Sequence, residues 1–192
     1  IHSFWVPKLA GKIDVQPAQV NEGWFVAEET GTFFALCAEL CGLAHAKMLF
    51  RVTSQPQADF DRWIEEQQKP PAATTTDLEA TGSILFATKQ CVLCHTNTGP
   101  DAPGVQAGRQ VVFESGGNAF AAPNLTHFAS RETFAGSILE NTEENLRSWL
   151  RDPEGEKTGN RMAELAAVYN DPTMRLTDAD IEALVAYLRS RT

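Results

Sequence analysis

A length of 192 residues suits one domain or two small ones, since single cores usually organise about 100 to 150 residues, and 43% hydrophobic with 21% charged residues excludes the disordered and fibrous classes. A formal net charge of -9, with no clustering of Lys or Arg, excludes a nucleic-acid partner, whose phosphates need a basic surface. No stretch approaches the roughly 18 to 20 apolar residues of a membrane-spanning helix, and no apolar signal core opens the chain. The acidic balance instead suits a basic partner protein, steered by charge. The chain begins with Ile1 rather than Met, directly before a candidate metal ligand, and so reads as a piece of a longer product.

Short strands are expected first, over Lys12 to Val20, Trp24 to Glu28, Thr32 to Leu36 and Met48 to Thr53. Each run is rich in Val, Ile, Phe or Trp and is bounded by turn signals such as Asn21-Glu22-Gly23 and Thr30-Gly31. A β-sandwich over residues 1–69 is the simplest home for them. Phe60, Trp63 and Ile64 at helical spacing close that domain. The run Lys69-Pro70-Pro71-Ala72-Ala73-Thr74-Thr75-Thr76 cannot build a core and marks a linker over 70–77. Beyond it, residues 78–192 read as helical. Asp77 is the expected N-cap of a helix carrying Leu78, Leu85 and Phe86, with Gly82 and Phe86 placed to pack on Tyr187 and Leu188. Residues 97–125, rich in Gly, Pro and Ala, read as loop. Thr142 caps a helix bearing Leu146, Trp149 and Leu150 before Pro153, and Thr177 caps a last helix whose apolar face is Ile181, Leu184, Val185 and Leu188.

Between Cys37 and Met48 lie two thiols, the His45 imidazole and a thioether. Soft sulfur with imidazole nitrogen favours copper, whereas calcium or magnesium would call for oxygen donors. A mononuclear blue-copper site needs one Cys; a second makes room for two coppers bridged by both thiolates. Gly42 helps the loop fold back, and His2, otherwise unassigned, supplies the second imidazole. Three other readings stay open: a disulfide between Cys37 and Cys41, a zinc site of Cys37, Cys41, His45 and His2, and Met48 as an ordinary core residue.

The segments His2-Ser3-Phe4-Trp5-Val6-Pro7, Lys12-Ile13-Asp14-Val15 and Cys37-Ala38-Glu39-Leu40-Cys41-Gly42 resemble the CuA domain of subunit II of cytochrome c oxidase. The resemblance covers residues 1 to about 68. It implies a cupredoxin fold, N-terminally incomplete here, with His2, Cys37, Cys41, His45 and Met48 as side-chain ligands of a binuclear copper centre and Glu39 donating its backbone carbonyl. In the family that Glu side chain also helps hold a magnesium ion at the interface with subunit I. Two membrane helices and several strands precede this His in the family and are absent from the chain.

Cys91-Val92-Leu93-Cys94-His95 is the C-x-x-C-H signature of covalent haem c, in which both thiols join the haem and the imidazole ligates iron. A thioredoxin-like pair is the alternative, but it wants a βαβ context that is missing. The sixth iron ligand is expected to be Met, and Met162 and Met174 are the candidates. Met174 lies three residues before Thr177, which leaves little slack to cross a haem face. Met162 follows Gly159-Asn160, which suits a close-passing loop, so Met162 is the expected ligand. The runs Ala122-Pro123-Asn124-Leu125-Thr126-His127, Asn145-Leu146-Arg147-Ser148-Trp149-Leu150-Arg151-Asp152-Pro153 and Lys157-Thr158-Gly159-Asn160-Arg161-Met162 resemble the cytochrome c extension of subunit II in caa-type oxidases. That resemblance implies an all-α class I cytochrome c domain, a hydrogen bond from His95 to the Pro123 carbonyl, and Met162 as ligand. Ala163 stands where the family has Pro, and residues 163–175 read as an inserted surface excursion with a helical turn from Ala163 to Tyr169. His127 reads as a structural histidine.

Neither constellation has a nucleophile, an acid–base pair or an open metal position, so the chain reads as an electron carrier. The resemblance implies electrons passing from a soluble cytochrome c or similar donor through haem c and CuA to subunit I, for dioxygen reduction. It implies further membrane subunits as partners and a place on the periplasmic or outer face of a bacterial cytoplasmic membrane, anchored by preceding helices. A nitric oxide reductase subunit with the same two centres is the alternative, and a metal-storage or sensing module with structural zinc and a haem is a third reading.

Overall fold

The computed structural model describes residues 1–97 and 122–192. The expected loop over 97–125 therefore falls, for residues 98–121, outside the described residues. The chain opens with a four-stranded antiparallel sheet made of β1 (His2–Trp5), β2 (Ile13–Val15), β3 (Gly31–Cys37) and β4 (Leu49–Ser54), in the order β2-β1-β3-β4. Its buried face is narrow: Ser3, Val6, Ala35 and Cys37 are each no more than 5% exposed. The period-2 alternation of β3 sends Ala35 and Cys37 inward and leaves Phe34 outside, under the Arg51 guanidinium. Pairing fixes the register that matters for the site, because β1 sets Phe4 opposite Cys37 while β3 sets Leu36 opposite Leu49. That brings His2, 35 positions away in sequence, to the end of β3. Helix α1 (Gln57–Gln68) follows as expected from the Phe60-Trp63-Ile64 spacing.

Two strand expectations are corrected. The run from Lys12 is strand only over Ile13–Val15, since Pro17 and the left-handed Ala18 turn the chain away. Trp24 to Glu28 is not a strand, and Trp24 is 88% exposed. Among the described residues, apolar alternation there meets no neighbouring strand, and strand preference is largely a fit to a pleated neighbour.

Among the described residues the second half is helical, with one small hairpin. Helix α2 (Asp77–Thr88) begins at the expected N-cap itself, one residue early: Thr76, not Asp77, caps it. The Thr76 hydroxyl accepts from the Glu79 amide at 3.2 Å, and the Glu79 carboxylate accepts from the Thr76 and Thr75 amides. Glu79 makes a reciprocal box only with the residue three positions before it, which is why the cap falls on Thr76. Those bonds also hold the Glu79 carboxyl below its usual range. The hairpin β5 (Thr133–Phe134) and β6 (Leu139–Glu140) precedes α3 (Glu143–Arg151), which Thr142 caps. Short helices α4 (Pro153–Glu156), α5 (Arg161–Leu165) and α6 (Ala167–Asn170) follow. The turn expected from Ala163 to Tyr169 is thus two helices, the first starting earlier because the Asn160 side chain accepts from the Ala163 amide.

Helix α7 (Asp178–Arg189) has the expected Thr177 cap, closed as a box by Asp180, and buries Ile181, Leu184, Val185 and Leu188 together with Ala183 and Tyr187. It crosses α2 where Gly82 removes the obstacle: a Cβ there would lie 2.0 Å from the Ala183 carbonyl oxygen and 2.6 Å from the Tyr187 Cβ. Phe86 meets Tyr187 with ring centroids 5.7 Å apart. The core continues through Phe128, Phe134, Leu146 and Leu150. Gly82→Ala is expected to destabilise this half by about 1 to 3 kcal/mol, because the obstacle is backbone and cannot yield. A thermal melt of the full chain unchanged by that substitution would contradict the crossing described.

Candidate metal centres

The turn after β3 carries the first donor cluster. Cys37 ends the strand, a 3₁₀ turn spans His45–Lys47, and the Cys37 amide donates to the Met48 carbonyl at 3.0 Å, closing the loop on itself. The two thiols are 3.8 Å apart. A disulfide needs about 2.05 Å, and both cysteines are free, so the disulfide reading does not describe this geometry. His2 Nδ1 lies 3.8 Å from the Cys37 sulfur, and the Glu39 carbonyl oxygen lies 3.2 Å from the same atom. On the other side, His45 Nδ1 lies 3.5 Å and Met48 Sδ 3.8 Å from the Cys41 sulfur. Each thiol thus has one imidazole and one further donor beside it. Among the described residues, His2, Cys37 and Cys41 form a group whose donor atoms all lie within 4.8 Å.

This set fits copper on its chemistry. Thiolates at this separation can share a metal about 2.3 Å from each, and six donors exceed the four a structural zinc takes. A thioether and two thiolates favour a soft ion. Burial pushes both thiols up. Cys37 nevertheless falls below its ordinary value through the backbone groups of Glu39 and Ser3, while Cys41 stays raised, its burial reinforced by the neighbouring Cys37. One thiol is therefore the readier to ionise.

The second cluster follows α2. Gln90, left-handed, turns the chain into a 3₁₀ turn over Cys91–Leu93, and the His95 amide donates to the Cys91 carbonyl at 2.9 Å. Burial raises the Cys91 thiol to about 11 and pushes Cys94 up as well, so both are protonated thiols near neutral pH. His95 Nδ1 lies 2.8 Å from the Pro123 carbonyl oxygen. A carbonyl only accepts, so Nδ1 carries the proton and Nε2 keeps its lone pair for iron. Burial, with the Arg131 charge beside it, depresses the His95 pKa against the opposing Pro123 bond, which favours the neutral, ligating form. Met162 packs partly buried against the helical core, together with Cys91 and Leu125. Met174 instead turns its carbonyl to Lys89 Nζ at 3.1 Å. The cluster fits a covalently held haem by its thiols and its oriented imidazole.

His127 is buried, with its Nε2 3.1 Å from the Lys69 carbonyl oxygen. It ties the linker to the helical domain, in keeping with a structural role. Beside it Arg191, 7% exposed, donates to the Ala72 carbonyl at 2.7 Å and the Asn97 carbonyl at 2.8 Å. Sequence reasoning missed Arg191 and Arg131, which donates to the Asn124 carbonyl next to Pro123. No local pattern marks either, because their partners are backbone carbonyls remote or irregular in sequence. A crevice of about 1080 Å³ is lined by His2, Cys41, His45 and Met48 of the first cluster and, from the helical half, by residues that include Asn160 and Arg161.

Two family models match the chain: cytochrome c oxidase subunit II, periplasmic domain, over residues 1–55, and cytochrome c over residues 79–192. The chain is 39% identical over 190 residues to cytochrome c oxidase subunit 2 of Alkalihalophilus pseudofirmus, an alignment covering 99% of this chain and 48% of that protein. It is 34% identical to the Bacillus subtilis protein of the same name, over 98% of this chain and 49% of the other. The alternative cytochrome c oxidase subunit 2 of Bradyrhizobium diazoefficiens matches at 41% over 68 residues, 35% of this chain and 24% of that protein. The chain thus spans about half the length of the relatives that match both of its halves.

Proposed function

Because the chain belongs to the cytochrome c family over residues 79–192, joined behind a cytochrome c oxidase subunit II periplasmic domain over residues 1–55, we propose that it is the electron-transfer portion of a caa-type oxidase subunit II. The observation that carries this reading is the presence on one chain of two donor clusters, one fit for copper and one for haem c, the first opening on a crevice walled by the helical half. In this reading residues 1–69 form the copper domain, 70–77 the linker and 78–192 the cytochrome domain.

Copper and haem, when bound, each take up and give back single electrons. The chain's residues do the rest. Cys37 and Cys41 would hold the coppers through their thiols, His2 and His45 would supply imidazoles, and Met48 and the Glu39 carbonyl the remaining donors. The narrow buried face beneath keeps this loop in one arrangement, so little has to move when charge changes. Cys91 and Cys94 would anchor the haem, and His95, oriented by Pro123, together with Met162 would ligate its iron. The Glu39 carboxylate contributes to a magnesium site shared with subunit I. The partners are subunit I, further oxidase subunits and a soluble basic donor, and dioxygen reduction belongs to that complex. The matched oxidase domain is periplasmic, which supports an outward-facing position, and the proposed anchor is the longer subunit's own membrane helices. Among the described residues no helix is long and apolar enough to cross a membrane. The nitric oxide reductase alternative is not favoured, because the relatives matching both halves are named cytochrome c oxidase subunit 2.

The test is metal analysis of the purified chain: two coppers with a mixed-valence spectrum for each covalent haem are expected, and a single zinc in their place would refute the assignment. A net charge of -9 adds a second expectation. Reduction by a basic donor cytochrome should slow as salt is raised, because steering is screened over about 8 Å at physiological ionic strength. Stopped-flow rates indifferent to salt would remove the basic donor from this account.

A further inference from the structure

The tip of the β5–β6 hairpin is conformationally costly. Ala135, Gly136 and Ser137 all have positive φ, at 55°, 79° and 57°, a region that alanine and serine seldom enter. Such backbone persists where surroundings hold it, and it concentrates at functional places. Here two successive carbonyls of the tip are engaged. Ala135 accepts from Lys157 Nζ at 2.9 Å, and Gly136 accepts from the Leu49 amide at 3.2 Å. Leu49 begins β4, an outer strand of the sheet, so its amide would otherwise face outward unpaired. A second bond crosses beside it, from Lys47 Nζ to the Glu156 carbonyl at 2.7 Å. Gly136 fits so closely that a Cβ would lie 2.6 Å from Lys157 Nζ and 3.3 Å from the Lys47 carbonyl oxygen.

Lys47 and Leu49 flank Met48, whose sulfur stands 3.8 Å from the Cys41 sulfur. Among the described residues, the backbone of Met48 is tied within its own domain, through its amide to the His45 carbonyl and its carbonyl to the Cys37 amide. Both of its neighbours are tied to the cytochrome half. We propose that the cytochrome domain is a positioning element for Met48, gripping the residues on either side of it and so setting how far the thioether stands from the copper thiolates. This rests on the reading of Met48 as a copper donor. A thioether is a weak, length-sensitive ligand whose position tunes the potential of a copper–thiolate site, so the grip acts on the copper centre from outside its own domain. Lys47, Gly136 and Glu156 are positioning residues in this account, acting through Met48 without touching metal.

The test uses the full chain carrying copper and haem. Gly136→Ala forces the tip away from Lys47, and Lys47→Leu removes the second crossing while leaving the hairpin intact. Both variants are expected to exchange the Leu49 amide with solvent several-fold faster than wild type. Both should also shift the copper absorption bands and the copper potential, leaving the haem spectrum unmoved. Lys47→Arg should restore wild-type values, because a guanidinium can still donate to the Glu156 carbonyl. Copper bands and potential identical to wild type in both variants, with wild-type copper content intact, would overturn the inference. A wild-type chain that takes up no copper would overturn the underlying assignment as well, and that outcome appears before any variant is made.

Discussion

Cys37→Ser is expected to abolish the copper pair. The thiol stands at the centre of the cluster, with the Cys41 sulfur and the His2 Nδ1 each 3.8 Å away and the Glu39 carbonyl oxygen 3.2 Å away. A serine hydroxyl is smaller, harder and ionises far above neutral pH, so it cannot bridge two soft ions as a thiolate does. Copper content should fall from two per chain to one at most, and the mixed-valence spectrum should vanish. Fold should survive, since Cys37 contributes one small side chain to a sheet whose register rests on backbone bonds. Haem content should not change. An unchanged copper count with an unchanged spectrum would sink the copper assignment.

Met162→Ala should cost the haem its sulfur ligand. Loss of the sulfur-to-iron absorption band toward the red end of the spectrum is expected. The reduction potential should also fall, on the order of 0.1 V within the roughly 0.8 V that axial ligands span. Met174→Ala should do neither. The packing of Met162 on the same helical core as Cys91 and Leu125 supports this assignment, as does the bond from Lys89 to the Met174 carbonyl, which fixes that segment at the end of α2. The converse pair of spectra would move the ligand to Met174.

What was legible in the sequence was what is contiguous. Cys37, Cys41, His45 and Met48 sit within one turn, and Cys91, Cys94 and His95 within another, so spacing alone exposes their chemistry. Capped helices were legible for the same reason, to within the single residue that separates Asp77 from Thr76. His2 was harder, since nothing local ties it to Cys37; β1–β3 pairing does. Trp24 to Glu28 misled because apolar composition cannot show that a pairing partner is missing. The grip of Gly136 on Leu49, Arg131 on Asn124 and Arg191 on Ala72 was invisible. In each case the acceptor is a backbone carbonyl, which every residue type offers equally.

Residues 69–76 have the composition of a loose tether, which alone would allow its ends to wander by about 5 to 6 Å times the square root of its length. The structure shortens that leash. Lys69 is held by His127 and Ala72 by Arg191, whose own neighbour Thr192 accepts from the Ala72 amide. The two halves therefore need no diffusional search to find each other, and their effective concentration exceeds the millimolar range that a short free linker would give. Under the proposed function, solvent viscosity and salt should then govern only how electrons arrive from outside, while a hop between the halves should run at a rate set by fixed distance.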